Sequence, residues 1–199
     1  MRSILVLLED LVRLEFGAGD LAKVREIAAE RFGDRANGTG AEGRVAAFVR
    51  AISEVRRRPL SEVYAFVGMR LTETVVKDFP MATRDRHSTR QVLQQLDQIA
   101  PAVLDALVPG VDAPAFDVEL VDAEALRVSF SGPTDAASLL EGVVRGLGQH
   151  FGERVECRRS PAPAYAPDRL LIDVKFAPER RRADLPSPTG VDRRKFFSF

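Results

Sequence analysis

Two histidines, one cysteine, three consecutive arginines and one Gly-Thr-Gly stretch are the features of this 199-residue chain that could do chemistry. His87 precedes a helical stretch and His150 falls near the end of a later one, beside Gly152, where it reads as a surface residue at the helix C-terminal dipole. Cys157 stands alone, so no internal disulfide can form and thiolates alone cannot build a metal site, which suits a reducing compartment. It falls in a strand, where it serves as a packing residue or as a thiolate ligand. Arg56, Arg57 and Arg58 could grip a phosphate, or could simply solvate a helix end whose dipole favours cations. Gly38-Thr39-Gly40 lacks both the Lys-Ser/Thr that completes a phosphate loop and the preceding strand of a dinucleotide fingerprint. No Ser/His/acid, Cys/His or paired-carboxylate arrangement stands out, so an enzyme is not expected.

Composition narrows the classes further. Apolar residues make up 45% and charged residues 29%, the balance of a globular protein rather than a disordered one. Lys plus Arg equals Asp plus Glu at 29 each, which gives no electrostatic reason to expect nucleic acid or an acidic membrane surface. The apolar run Ile4–Leu8 is followed at once by Glu9, Asp10, Arg13 and Glu15. It is too short for a signal peptide or a membrane span, and a cytoplasmic location is expected.

The elements that must position any site follow from periodicity. Ile4, Leu5, Leu8, Leu11, Val12 and Phe16 define a first helix ended by Gly17. A second, capped by Asp20, carries Leu21, Val24, Ile27, Ala28 and Phe32 and is expected to stop at Gly33. Residues 34–43, with three glycines and no apolar run, read as a loop before a third helix over Arg44–Val55. Pro59 opens a fourth helix, with Leu60, Val63, Phe66, Val67, Leu71, Val75 and Phe79 on one face, closed by Pro80. Gly68 within it marks a close approach of a neighbour or a ligand, or is a costly helix residue.

The stretch Ser88–Leu107 reads as one long helix with Leu93, Leu96, Ile99, Ala100, Val103, Leu104 and Leu107 on a single face. Pro101 should kink it, making it either a wall for a ligand cavity or a core helix with a tolerated bend. The period then falls to two. Phe116, Val118 and Leu120, then Leu126, Val128 and Phe130, predict a hairpin turning at Asp122–Ala125. Asp135 can cap a helix carrying Leu139, Leu140, Val143, Val144, Leu147 and Phe151, stopped by Gly152. Strands near Val155–Arg159 and Leu170–Phe176 follow, joined by a proline-rich loop.

Leu96, Asp97, Ile99, Ala100, Pro101 and Val103, then Pro109-Gly110, then Pro114 and Phe116, resemble the signalling helix and following turn of the heme–nitric oxide/oxygen binding (H-NOX, HNOB) domain family. The likeness extends over residues 1–177. It implies an α+β fold: an N-terminal helical bundle followed by a helix packed on a four-stranded antiparallel sheet. It also implies a sensory module of a bacterial signalling protein. Residues 178–199, charged, proline-containing and ending in Phe196, Phe197 and Phe199, are expected to be a linker toward a C-terminal PAS-like or output domain.

By the same resemblance, the histidine that ligates heme iron falls on Ala100, and the Tyr-x-Ser-x-Arg set that binds the propionates falls on Phe130, Gly132 and Thr134. His87, thirteen positions before Ala100 and roughly 20 Å along a helix, cannot replace it. The expectation is therefore a divergent, heme-free member with no cofactor and no metal. The residues that would surround heme are Ile4, Leu8, Val67, Leu71, Val75, Leu96, Ile99, Ala100, Leu104, Phe116 and Phe130. That apolar set either collapses into packed core or persists as a cavity for a hydrophobic small molecule, such as a fatty acid or a non-heme tetrapyrrole. Collapse would leave a structural or dimerisation domain, with a homodimer or the output domain of the same chain as its partner.

Overall fold

In the computed structural model the described residues are 3–37, 40–108, 112–162, 164 and 166–177. Seven α-helices and four strands account for most of them. Helix α1 (Ile4–Phe16) buries Leu7, Leu8 and Val12 and ends at Gly17, whose φ of 90° is open to glycine and whose N–H donates to the Arg13 carbonyl. Helix α2 (Ala18–Asn37) runs through Gly33, and α3 (Gly40–Arg56) begins within the stretch read as a loop over 34–43. Interior glycine costs a helix about 1 kcal/mol, a preference that packing readily overrides. Leu21 and Val24 of α2 and Phe48, Val49 and Ile52 of α3 share one core, and Arg56 reaches Asp20 at 2.9 Å. Asp20 thus lies in the first turn of α2 rather than capping it.

Helix α4 (Leu60–Asp78) starts after Pro59, and Pro80 opens a single 3-10 turn over Pro80–Ala82. The expected long helix is two: α5 (Thr89–Leu93), N-capped by Ser88 through its hydroxyl on the Gln91 N–H, and α6 (Leu96–Leu107). Pro101 sits inside α6, and the interruption falls at Gln94–Gln95, where Gln95 takes φ −120° and ψ 20°. A proline crowds the backbone of the preceding turn, and the helix gives way just before that turn begins. Pro109-Gly110 and the tail 178–199 lie outside the described residues.

Strands β1 (Asp117–Asp122) and β2 (Ala125–Ser131) form the expected hairpin, with the Asp122 carboxylate accepting from the Glu124 N–H at 2.7 Å. Strands β3 (Val155–Ser160) and β4 (Arg169–Phe176) complete an antiparallel sheet in the order β1-β2-β4-β3. Helix α7 (Thr134–Phe151) connects β2 to β3 and ends at Gly152 in the left-handed region. It lays Ala137, Leu140, Val144 and Leu147 over the sheet residues Leu126, Val128, Ile172 and Val174. Leu120, expected to point into this core, is 58% exposed, because β1 is an edge strand that the helix layer does not cover.

The other side of α7 meets α4 backbone to backbone. A Cβ on Gly142 would lie 2.0 Å from the Ala65 carbonyl oxygen, and one on Gly68 would lie 2.1 Å from the Leu139 carbonyl oxygen. Gly68 therefore marks a neighbour's close approach. The Thr72 hydroxyl donates to the Gly68 carbonyl one turn back in α4 at 2.9 Å and reaches the Val143 carbonyl of α7 at 3.4 Å. Among the described residues no helix is long and apolar enough to cross a membrane.

Candidate functional site

The described residues form two hydrophobic cores, one among the N-terminal helices and one between α7 and the sheet. The eleven apolar residues expected to surround one ligand divide between them. Leu8, Val67 and Leu71 are buried in the helical core, with Ile4 packed against it. Leu96, Ile99, Ala100 and Phe130 belong to the sheet core, with Phe116 packed against it. Val75 borders both, and Leu104 is half-buried on α6.

The join between the cores rests on residues that periodicity placed on inward faces without assigning them to a seam. Phe79 and Val103 pack against both, as Val75 does. Helix α6 is shared in the same way: Leu96, Ile99 and Ala100 enter the sheet core, and Leu107, followed by Val108, enters the helical one. Helical spacing shows which side of α6 is apolar, but not that this side faces one core at its start and another at its end.

The polar chemistry around this seam is sparse. Ala100 offers a methyl group at 9% exposure. Phe130, 2% exposed, stacks at a tilt on Phe116 with ring centroids 5.3 Å apart. Gly132 and Thr134 are exposed where β2 passes into α7. His87 is exposed ahead of α5, its backbone N–H on the Gln91 side-chain oxygen at 2.6 Å, and His150 is exposed with its ring 4.7 Å from that of Phe151. The Cys157 thiol packs against the sheet core, and burial pushes it up to about 11, with Arg145 opposing and Glu141 adding. Among the described residues no three His, Cys, Asp or Glu side chains group as metal ligands do. The side chains at Ala100, Phe130, Gly132 and Thr134 do not match a set that ligates iron and pairs carboxylates.

Two open clefts lie away from the seam. One, about 560 Å³, follows the α4–α7 crossing between Phe66, Met69, Arg145 and Arg159, where Arg159 donates to Glu141 at 2.6 Å and to the Ser138 hydroxyl at 2.5 Å. The other, about 420 Å³, lies on the outer sheet face beside Arg127, Ser160 and Arg169. There Asp173 accepts from Arg127 at 2.7 Å and from the Ser160 hydroxyl at 2.5 Å. Arg127, acting first through that hydrogen bond, holds the Asp173 carboxyl below the usual carboxylate range.

No curated protein matches this chain in sequence. An H-NOX protein from S. oneidensis in the Fe(II)NO ligation state shares 17% identity, with 87% of this chain covering 97% of that one at a TM-score of 0.70. The H-NOX domain from Shewanella oneidensis in the Fe(II)CO state shares 16%, with coverages of 90% and 100% and a TM-score of 0.73. The Fe(II) unliganded H-NOX protein from K. algicida shares 12%, with coverages of 89% and 97% and a TM-score of 0.69. These likenesses establish the α+β fold of a helical bundle joined to a helix on a four-stranded antiparallel sheet. The sequence pattern of the family described as Haem-NO-binding matches residues 3–159.

That match corrects one expectation. The reading of this chain as having no cofactor is overturned by a family defined by haem and by relatives of like fold described in Fe(II) states, which point to heme. Four substituted positions weighed too heavily against a pattern that runs through most of the chain: it belongs to the Haem-NO-binding family.

Proposed function

We propose that this chain is the sensory or regulatory module of a signalling protein, read out as a shift between two packings of α6. The observation that carries this reading is the division of α6 between the cores, Leu96, Ile99 and Ala100 on one side and Leu107 on the other. If one core moves against the other, α6 has to follow. A ligand seated at the join, against Val75, Phe79 and Val103, would touch both cores and bias their arrangement by its differential affinity. Apolar walls favour an apolar ligand, flat or extended. Heme, the cofactor the family points to, is the first to test, and a fatty acid is the second. The family senses rather than catalyses, and the charge balance of the chain supports a small-molecule input over nucleic acid.

The test has two parts. Mass analysis of an organic extract of freshly purified protein identifies what co-purifies, and hemin and a fluorescent fatty acid are then titrated separately. Saturable one-to-one binding of either, with amide exchange altered over residues 96–108, is the expected result. If neither binds and α6 exchange is unchanged, the sensory reading fails. A second reading would then stand, a docking or dimerisation domain. It is favoured by Phe130, which fills its surroundings at 2% exposure with its ring on Phe116.

A further inference from the structure

We propose that the outer edge of β1 is a docking strip for residues 193–199 of this same chain. This inference does not depend on the ligand reading above. Strand β1 lies at the sheet edge, with β2 on one side only. It presents Leu120 at 58% and Val121 at 48% exposure, and the register slips between Leu120 and Asp122, leaving Val121 without a partner in β2. Leu120 is in register with Leu126, which is in register with Val174, and both partners are fully buried. The apolar row that makes the core therefore runs off the sheet uncovered. Its acids and its bulge discourage pairing with a like strand, while an apolar edge of this kind still accepts an added strand of complementary charge.

Charge selects the occupant. The strand reads Asp-Val-Glu-Leu-Val-Asp, with Asp117, Glu119 and Asp122 and no base. A second copy would set acids against acids, an arrangement that destabilises paired strands. Residues 193–199 carry Arg193, Arg194 and Lys195, then Phe196, Phe197 and Phe199. They supply the opposite sign and the aromatic surface that Leu120 and Val121 lack. The segment is also within reach. Strand β4 ends at Phe176, whose N–H donates at 2.8 Å to the Glu124 carbonyl in the β1–β2 turn. Residues 177–192 can extend to roughly 50 Å, and the strip lies about two strand spacings, ~10 Å, to the side. A tether of that length keeps the segment at an effective concentration on the order of millimolar.

The experiment uses the whole chain with a photo-crosslinking benzoylphenylalanine at Val121, irradiated as a monomer and mapped by peptide mass spectrometry. The expected adduct falls within 193–199. Its yield should drop about tenfold in the Phe196→Ser, Phe197→Ser double variant, from loss of the apolar contact, and about as far in 1 M salt, from screening of the acids and bases. An adduct between two copies, an adduct elsewhere in the chain, or no adduct overturns the proposal. Without any label, amides of residues 117–122 should exchange about tenfold faster in the double variant than in the parent. Equal exchange overturns it too.

Discussion

Replacing Gly142 by alanine would put a methyl group 2.0 Å from the Ala65 carbonyl oxygen, 2.7 Å from its carbonyl carbon and 2.9 Å from its Cα. These are backbone atoms and cannot rotate away. Relief to an ordinary contact of about 3.4 Å requires α4 and α7 to part by about 1.4 Å, enough to forfeit about half of the dispersion well at each contact along the crossing. Overpacking between backbones that cannot yield exceeds the usual range of about 1–3 kcal/mol and reaches about 3–4 kcal/mol, against a gain of about 1 kcal/mol from removing a helix-interior glycine. A net loss of about 2–3 kcal/mol is expected, which lowers the melting temperature by about 5–10 °C in a domain of this size. Circular dichroism during heating and during urea titration measures both quantities. Gly68→Ala, which meets the Leu139 carbonyl oxygen at 2.1 Å, should behave alike. The double variant should cost less than the sum, because helices already parted admit the second methyl. Gly19→Ala is the control, since nothing lies within 4 Å of its added Cβ. A Gly142→Ala protein that melts with or above the parent would refute the close crossing and the packing argument built on it.

Other consequences are open to direct measurement. Cys157, its thiol raised to about 11 chiefly by burial, should react with iodoacetamide at pH 8 about a hundredfold more slowly than an ordinary thiol, accelerating as pH approaches 11; an ordinary rate at pH 8 would contradict this. Asp173 has a folded carboxyl below its ordinary 3.8, so its contribution is present above that value and is lost as pH falls through the lower, folded one. Asp173→Asn should therefore cost about 1 kcal/mol in urea unfolding at pH 7, with the gap closing once pH falls below the ordinary value. Phe130→Ala, at a site 2% exposed, should cost about 3–5 kcal/mol by leaving a cavity in the sheet core, and a smaller loss would show that core already loose. Ala100→His would give heme iron an imidazole from α6, and hemin should bind this variant about tenfold more tightly than the parent, with a sharper Soret band; equal affinities would show that this side of α6 does not face the ligand.

Much of this architecture was legible because one-sided burial leaves a period in the sequence. Helices α1, α4 and α7 and the β1–β2 hairpin all emerge from apolar spacing, and their stops at Gly17, Pro80 and Gly152 are local chemistry. What escaped is what depends on two elements at once. The glycines of 34–43 read as a loop because their cost is local, whereas the packing that carries α2 and α3 into that segment is not. Gly68 was conspicuous in an apolar helix face, but Gly142, which meets Ala65, and Gly146, which meets Thr72, matter only once α4 lies against them. The candidate site divides along the same line. Leu8 and Phe130 are both buried, yet they belong to different cores, and only the tertiary structure assigns Val103 and Phe79 to the join. The cofactor shows the same limit from the other direction. Loss of a donor at Ala100 is a local fact, while the family's sequence pattern runs through every element from α1 to β3. A substitution changes one position; the pattern that runs over residues 3–159 carries the family's relation to haem.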